Sequence, residues 1–271
     1  MRNILLAISI WIVTFVSVTA QQPANYIEYD MVQGKLEESD SYKKEFGRYD
    51  GFQVYLNKGE FVYFSVFSEE FNPSIILVTP GKENLMENQS QGTGFASIKT
   101  SIPETGEYYV YIIGTANSRG NYFYQYAFAD SAALKEPEKE FCDELQYVIK
   151  HSDAYFLFLQ ENDTLYKISD TEDAFIDGND GSYNTVILSN SDKAEAEKKY
   201  IESRLKLQSC LGEGWNEYKS DWQPIEDFKQ KKVEYSKKTE AGRIAVILKL
   251  NDFSTEGNSD YSLEMVFINT K

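Results

Sequence analysis

The sequence predicts a β-sandwich or barrel of about 100 residues followed by an α+β domain. Three observations carry this. From Tyr26 to Ala129, short apolar and aromatic runs alternate and are broken by turn residues at regular intervals, as in a chain of many short strands. Residues 130–140, DSAALKEPEKE, are polar and contain a proline, which marks a linker. After them, apolar residues recur first at helical spacing and then again in strand-like runs.

In chain order, Gly51-Phe52-Gln53-Val54-Tyr55-Leu56 is a strand stopped by Asn57-Lys58-Gly59, and Glu60 to Phe67 is the next. The corner Ser68-Glu69-Glu70-Phe71-Asn72-Pro73 lets that strand end and another, from Ile75 to Thr79, start in the opposite sheet, with Ile75 and Leu77 inward and Pro80-Gly81 turning the chain. Phe95 to Ile102 stops at Pro103-Glu104-Thr105-Gly106; Glu107 to Ile113 and Asn121 to Ala129 follow, joined by a turn from Thr115 to Gly120. Beyond the linker, Phe141, Leu145, Val148 and Ile149 have helical spacing. Asp153 to Gln160 reads as a second helical segment, or equally Ala154 to Leu159 as a strand. A turn-rich stretch, Asp170 to Ser182, precedes a strand at Tyr183 to Ser189. Ser191 or Asp192 caps a long helix over 193–211, whose apolar face is read as Tyr200, Ile201, the Arg204 stem, Leu205, Leu207 and Leu211, and Gly212 stops it. Strands are expected at Arg243 to Leu250 and Tyr261 to Ile268, with weaker ones near Trp215 to Tyr218 and Val233 to Ser236.

The N-terminus, MRN-ILLAISIWIVTFVSV-TA-QQ, has the form of a secretory signal peptide over residues 1–20: Arg2 is the charged region, 4–18 the apolar core, and Val18-Thr19-Ala20 offers small residues for cleavage. The apolar run is shorter than the roughly 20 residues of a membrane span; an uncleaved anchor is the other reading. Without Arg2 the chain carries 26 basic against 43 acidic residues, a net charge of −17. That argues against nucleic acid and against docking on anionic lipid. The expected location is secreted or periplasmic, with no membrane span after cleavage. About 250 mature residues suggest two domains.

Residues able to carry chemistry are few. The single histidine, His151, stands at the end of the first helix of the second domain, where a partial positive charge is favourable. A catalytic triad would need a nucleophile and a carboxylate beside it, and no Gly-x-Ser-x-Gly elbow exists. One histidine and two cysteines do not make a usual zinc site. In an exported chain Cys142 and Cys210 are read as a disulfide clamping the two helices, worth about 4 kcal/mol by loop entropy; a pair of buried thiols is the alternative. Residues 173–182, DAFIDGNDGS, lack the spacing of a calcium loop and read as a polar hairpin. No two of the 43 acids stand out as a hydrolytic pair. Two tyrosine rows remain, Tyr109 and Tyr111 on one strand face and Tyr122 and Tyr124 on another. Such rows stack on ligands when exposed and form a core when buried.

The order Gly34-Lys35-Leu36, Tyr49 to Leu56, Lys58-Gly59-Glu60-Phe61-Val62, Ser68 to Pro73, Ile75-Ile76-Leu77, Pro80-Gly81, Phe95 to Ile98, Ile102 to Val110 and Gly120-Asn121-Tyr122-Phe123-Tyr124 resembles the bacterial pre-peptidase C-terminal domain over residues 26–130. The resemblance implies a jelly-roll-like sandwich of the kind appended to exported enzymes. Some members bind calcium, but Asn72 stands where the family usually has aspartate, and the acidic run is diluted to Glu83-Asn84-Leu85-Met86-Glu87-Asn88, so neither calcium nor any cofactor is expected. The resulting expectation has four parts: leader 1–20, jelly-roll-like antiparallel β-sandwich 26–130, linker 131–140, and α+β domain 141–271. Its function reads as that of an exported, non-catalytic binding or interaction protein of the bacterial cell envelope, whose partner is another exported protein or a glycan. The alternative is a secreted hydrolase with its site in the α+β domain or between the domains.

Overall fold

A computed structural model describes residues 26–44, 47–92, 94–161, 164–177, 180–239, 242–255 and 258–270. The expected leader lies outside the described residues. Nine strands form the first half: β1 (Ile27–Leu36), β2 (Ser41–Lys43), β3 (Gly47–Leu56), β4 (Phe61–Phe67), β5 (Ser74–Val78), β6 (Asn84–Gln89), β7 (Phe95–Ser101), β8 (Gly106–Gly114) and β9 (Gly120–Ala129). They build two antiparallel sheets in the orders β1-β9-β4-β7 and β2-β3-β8-β5-β6. The corner at residues 68–73 does carry the chain from one sheet to the other, because β4 lies in the first and β5 in the second. Ile75 and Leu77 are fully buried between the sheets with Phe64, Val66, Ile98, Tyr108 and Val110. Strands β1, β2 and β6, which the sequence did not single out, sit at sheet edges and are largely exposed, so little alternation marks them.

The second half adds helix α1 (Phe141–His151), two single 3₁₀ turns (Ser152–Ala154 and Leu157–Leu159), the short pair β10 (Gln160–Glu161) and β11 (Thr164–Leu165), then β12 (Asp173–Ile176), β13 (Tyr183–Ser191), α2 (Lys193–Leu211), β14 (Asn216–Ile225), β15 (Phe228–Thr239), β16 (Gly242–Asp252) and β17 (Tyr261–Thr270). Its main sheet is β12-β13-β17-β16-β15-β14. Both helices pack on one face, over Val233, Tyr235, Val246, Leu248, Leu263, Met265 and Phe267. The fold is thus a β-sandwich joined to two helices on an antiparallel sheet.

Several local expectations need correction. The stretch 153–159 is neither an α-helix nor a strand: Tyr155 and Phe156 take left-handed φ of 48° and 62° and separate the two 3₁₀ turns. The face of α2 is set by Ala196, Tyr200, Ser203, Leu207 and Leu211, whereas Ile201 and Leu205 are exposed. Asp192 is its cap, accepting from Glu195 N at 2.9 Å. The turn-rich stretch before β13 contains β12, and the weak strands near 215 and 233 are long ones, β14 and β15. At the expected hairpin, Gly181 N donates to Asp177 O and Ser182 N to Asp180 Oδ1, both at 2.9 Å; Gly178 and Asn179 lie outside the described residues. The polar linker is folded down: Asp130 caps a turn that buries Ala133, and Leu134 packs between the halves. Cys142 and Cys210 form a disulfide that joins α1 to the last turn of α2.

Candidate functional site

The outer face of the second sandwich sheet carries an aromatic cleft. Strand alternation sends Tyr108, Val110 and Ile112 of β8 inward and Tyr109, Tyr111 and Ile113 outward. Registration sets Tyr49 of β3 opposite Ile113, and Ile76 and Val78 of β5 opposite Tyr111 and Tyr109. Gly51 stands opposite Tyr111, and a Cβ there would come within 3.0 Å of the Tyr111 ring. The glycine therefore makes room for the ring to lie across the neighbouring strand.

The result is an open cleft of about 670 Å³ with an aromatic wall and a polar rim. The Tyr109 and Tyr111 rings are 11° from parallel with centroids 6.3 Å apart, and Tyr49 meets Tyr111 edge-on at 5.5 Å. Ile76, Val78 and Ile113 form an apolar floor. Lys43, Lys82, Asn84 and Glu87 stand around it, with Lys43 Nζ 6.0 Å from the Tyr49 ring centre. Desolvation, with Tyr49 and Tyr109 close by, raises the Tyr111 phenol above its ordinary value, so it stays neutral and able to donate. Flat rings beside amide, carboxylate and ammonium groups suit a ligand with both C–H faces and hydroxyls, or an extended chain.

The two tyrosine rows therefore separate. Tyr109 and Tyr111 line the cleft. Tyr122 and Tyr124 are 1% and 3% exposed and belong to the sandwich core, which takes them out of the ligand-contact set. The Tyr122 hydroxyl donates to Asp50 Oδ2 at 2.6 Å, and Tyr124 stacks on Phe52 with centroids 4.7 Å apart. Tyr49 and Gly51 complete the site because β3 begins at Gly47, ahead of the expected start at Gly51; the outward alternation of Tyr49 is the sequence signal for it.

Elsewhere the chemistry is closed. His151 is fully buried, its Nδ1 donating to Tyr147 O at 2.8 Å and its Nε2 without a hydrogen-bond partner. Burial holds its pKa down at about 4, so it is a neutral core residue and not a charged partner of the helix end. Glu144, also fully buried, accepts from Ser169 N at 3.0 Å, Ser169 Oγ at 2.9 Å and the Tyr166 hydroxyl at 3.3 Å, and it pins the 166–169 segment to α1. Among the described residues no group of three or more His, Cys, Asp or Glu is placed to hold a metal, and no helix is long and apolar enough to cross a membrane.

No protein-family model matches the chain, and no curated protein does. Solved structures resemble part of it. The pre-peptidase C-terminal domain of collagenase from Bacillus anthracis is 18% identical, with a TM-score of 0.29 over 38% of this chain and 94% of that one. PliG of Aeromonas hydrophila, a periplasmic inhibitor of g-type lysozyme, is 14% identical, with a TM-score of 0.28 over 40% of this chain and 90% of its own. A Bacillus endospore appendage protein that forms disulfide-linked pili is 14% identical, with a TM-score of 0.23 over 40% and 96%. The chain thus bears a weak, segmental resemblance to a pre-peptidase C-terminal domain, and at these scores none of the likenesses bears on what the protein does.

Proposed function

We propose that this is an exported binding protein of the bacterial cell envelope, non-catalytic, whose ligand docks in the Tyr49–Tyr109–Tyr111 cleft. The observation that carries the reading is the cleft itself: three tyrosines over an apolar floor, open to solvent and rimmed by Lys43, Lys82, Asn84 and Glu87. A sugar chain fits that chemistry best, with ring faces on Tyr109 and Tyr111 and hydroxyls on the rim. Residues 26–130 act as the binding domain and 141–271 as a disulfide-clamped second domain, joined by 131–140. The disulfide and the leader-like N-terminus support an oxidising, extracytoplasmic location. Nothing favours the hydrolase reading specifically: the one imidazole is buried, and its Nε2 meets no hydroxyl among the described residues.

The test is titration of soluble envelope polysaccharide fragments into the protein, followed by calorimetry. Binding is expected, with Tyr111→Ala weakening it by about 1–3 kcal/mol, the range for losing one stacking aromatic of this kind. Affinity unchanged in both Tyr109→Ala and Tyr111→Ala would remove the cleft from the account. Binding of an envelope protein, lost in the same variants, would keep the cleft and replace the sugar.

A further inference from the structure

The sheets of both halves are open, so each ends in strands with a free edge. Strand β1 is at one end of the first sandwich sheet, and β12 and β14 are the two ends of the six-stranded sheet. A free edge presents backbone N–H and C=O groups to which another extended chain can pair. On each of these three strands a backbone N–H is instead bonded to the carboxylate of the residue just before it. Met31 N donates to Asp30 Oδ1 at 2.8 Å, Ala174 N to Asp173 Oδ1 at 2.8 Å, and Trp222 N to Asp221 Oδ1 at 2.9 Å.

The ladders fix which way these N–H groups point. Along an antiparallel strand, residues bonded to the partner alternate with residues turned away from it. Asp130 N donates to Tyr26 O at 3.2 Å, one step before the Ile27–Ala129 pair. Even-numbered residues of β1 therefore face β9, and the Met31 N–H faces out. Asp177 N donates to Ser182 O at 2.9 Å, one step beyond the Ile176–Tyr183 pair. Odd-numbered residues of β12 therefore face β13, and the Ala174 N–H faces out. On β14 the bond falls in a register shift, where Asp221 and Trp222 have no partner on β15. Two residues after Trp222 comes Pro224, which has no N–H to offer. All three aspartates are exposed, so their carboxylates reach these positions without leaving water. The Tyr126 hydroxyl donates to the other oxygen of Asp30 at 3.0 Å and holds that carboxylate in place.

We propose that Asp30, Asp173 and Asp221 guard the sheet edges, each closing an N–H through which a second extended chain would pair. An incoming strand must break a charge-assisted bond, the stronger kind. It must then seat its own carbonyl beside a carboxylate that has lost its donor. On β12 only Ala174 and Ile176 are turned outward, so the cap removes one of two donors. On β14 the cap and the proline act two residues apart. Both ends of the six-stranded sheet are closed to extension in this way, and the end of the sandwich sheet at β1 is closed at its middle.

The test is amide hydrogen exchange read by NMR, joined to sedimentation velocity, on the chain from Gln21 onward with its disulfide formed. Gln33 is the internal control, because the same alternation on β1 turns its N–H outward. In the wild type the amides of Met31, Ala174 and Trp222 are expected to exchange at least about tenfold more slowly than that of Gln33. Equal exchange would overturn the proposal before any variant is made. The triple variant Asp30→Ala, Asp173→Ala, Asp221→Ala should lose that protection and strengthen self-association at least about tenfold. The matching triple Asp→Asn variant keeps a side-chain oxygen as acceptor and loses the same three charges. It should keep the protection and associate no more than the wild type. If the Asn and Ala variants associate equally, charge repulsion is the agent and the proposal fails. It fails also if the Ala variant associates no more than the wild type.

Discussion

At single residues, packing geometry outweighs composition. Gly34 of β1 lies under the Tyr122 ring: a Cβ built there would stand 2.2 Å from Tyr122 Cζ. The ring cannot move aside, because its hydroxyl is held by Asp50 and its edge by Phe71. Gly34→Ala should therefore destabilise the sandwich by about 2 kcal/mol through overpacking. Gly81→Ala, whose Cβ would meet nothing nearer than Thr79 Oγ1 at 3.6 Å, should stay within about 0.5 kcal/mol. Urea unfolding of both variants checks the contrast, and equal midpoints would contradict it. His151 gives a pH prediction. Its pKa is about 4 when folded, lowered first by burial and further by the charges of Lys150 and Lys99, against 6.5 for a free imidazole. A base whose pKa falls on folding binds fewer protons in the native state, so its contribution is complete above pH 6.5 and is lost as pH falls from there towards 4. The amount is on the order of 3 kcal/mol. Glu60 and Asp50, raised by burial, run the other way and are common to both proteins compared. His151→Gln should therefore flatten the acid side of the melting-temperature profile relative to wild type, and parallel profiles would show that the imidazole is not held neutral by the fold.

At the level of elements, the disulfide should dominate the stability of the second half. It closes a separation of 68 residues between α1 and α2, for which loop entropy gives about 4 kcal/mol. Replacing both cysteines by alanine should lower the unfolding midpoint of the second half by that order while leaving the cleft's ligand affinity in place. An unchanged midpoint would mean that the helices are held by packing alone. How far each element could be read from sequence follows its environment. Among the central strands, β8 alternates over most of its length, and β5, buried on both faces, is a continuous apolar run. Edge strands β1, β2 and β6 have no such constraint and were not marked out. On α2, apolar residues at 200, 201, 205, 207 and 211 allowed more than one face. The face chosen uses Ala196 and Ser203, small residues that give no apolar signal but let the helix lie close to the sheet. The tyrosine rows were ambiguous for the same reason: alternation tells which residues share a face, and only the partner sheet decides which face is covered.

Over the whole molecule, the segment that most resisted reading is the one that joins the halves. Leu157 and Phe158 follow two residues in left-handed conformation, Tyr155 and Phe156, a state that bulky side chains reach only when tertiary contacts impose it. The contacts are visible. Phe158 is 7% exposed against Ala127 and Ala129 of β9, Tyr155 meets Tyr29 with centroids 4.7 Å apart, and the Lys99 ammonium donates to the carbonyls of Leu157 and Gln160. Among the described residues no sheet is shared between the halves, and this small cluster and the folded linker join them. Phe158→Ser removes the ring that packs on Ala127 and Ala129. The interface should lose about 3 kcal/mol, with each half's own core untouched. Calorimetry is then expected to resolve a single melting transition into two, and a protease should gain access to the 135–140 stretch before either half unfolds. A single transition of lowered midpoint, with the linker still protected, would instead make the two halves one cooperative unit and withdraw the proposed division at residues 131–140.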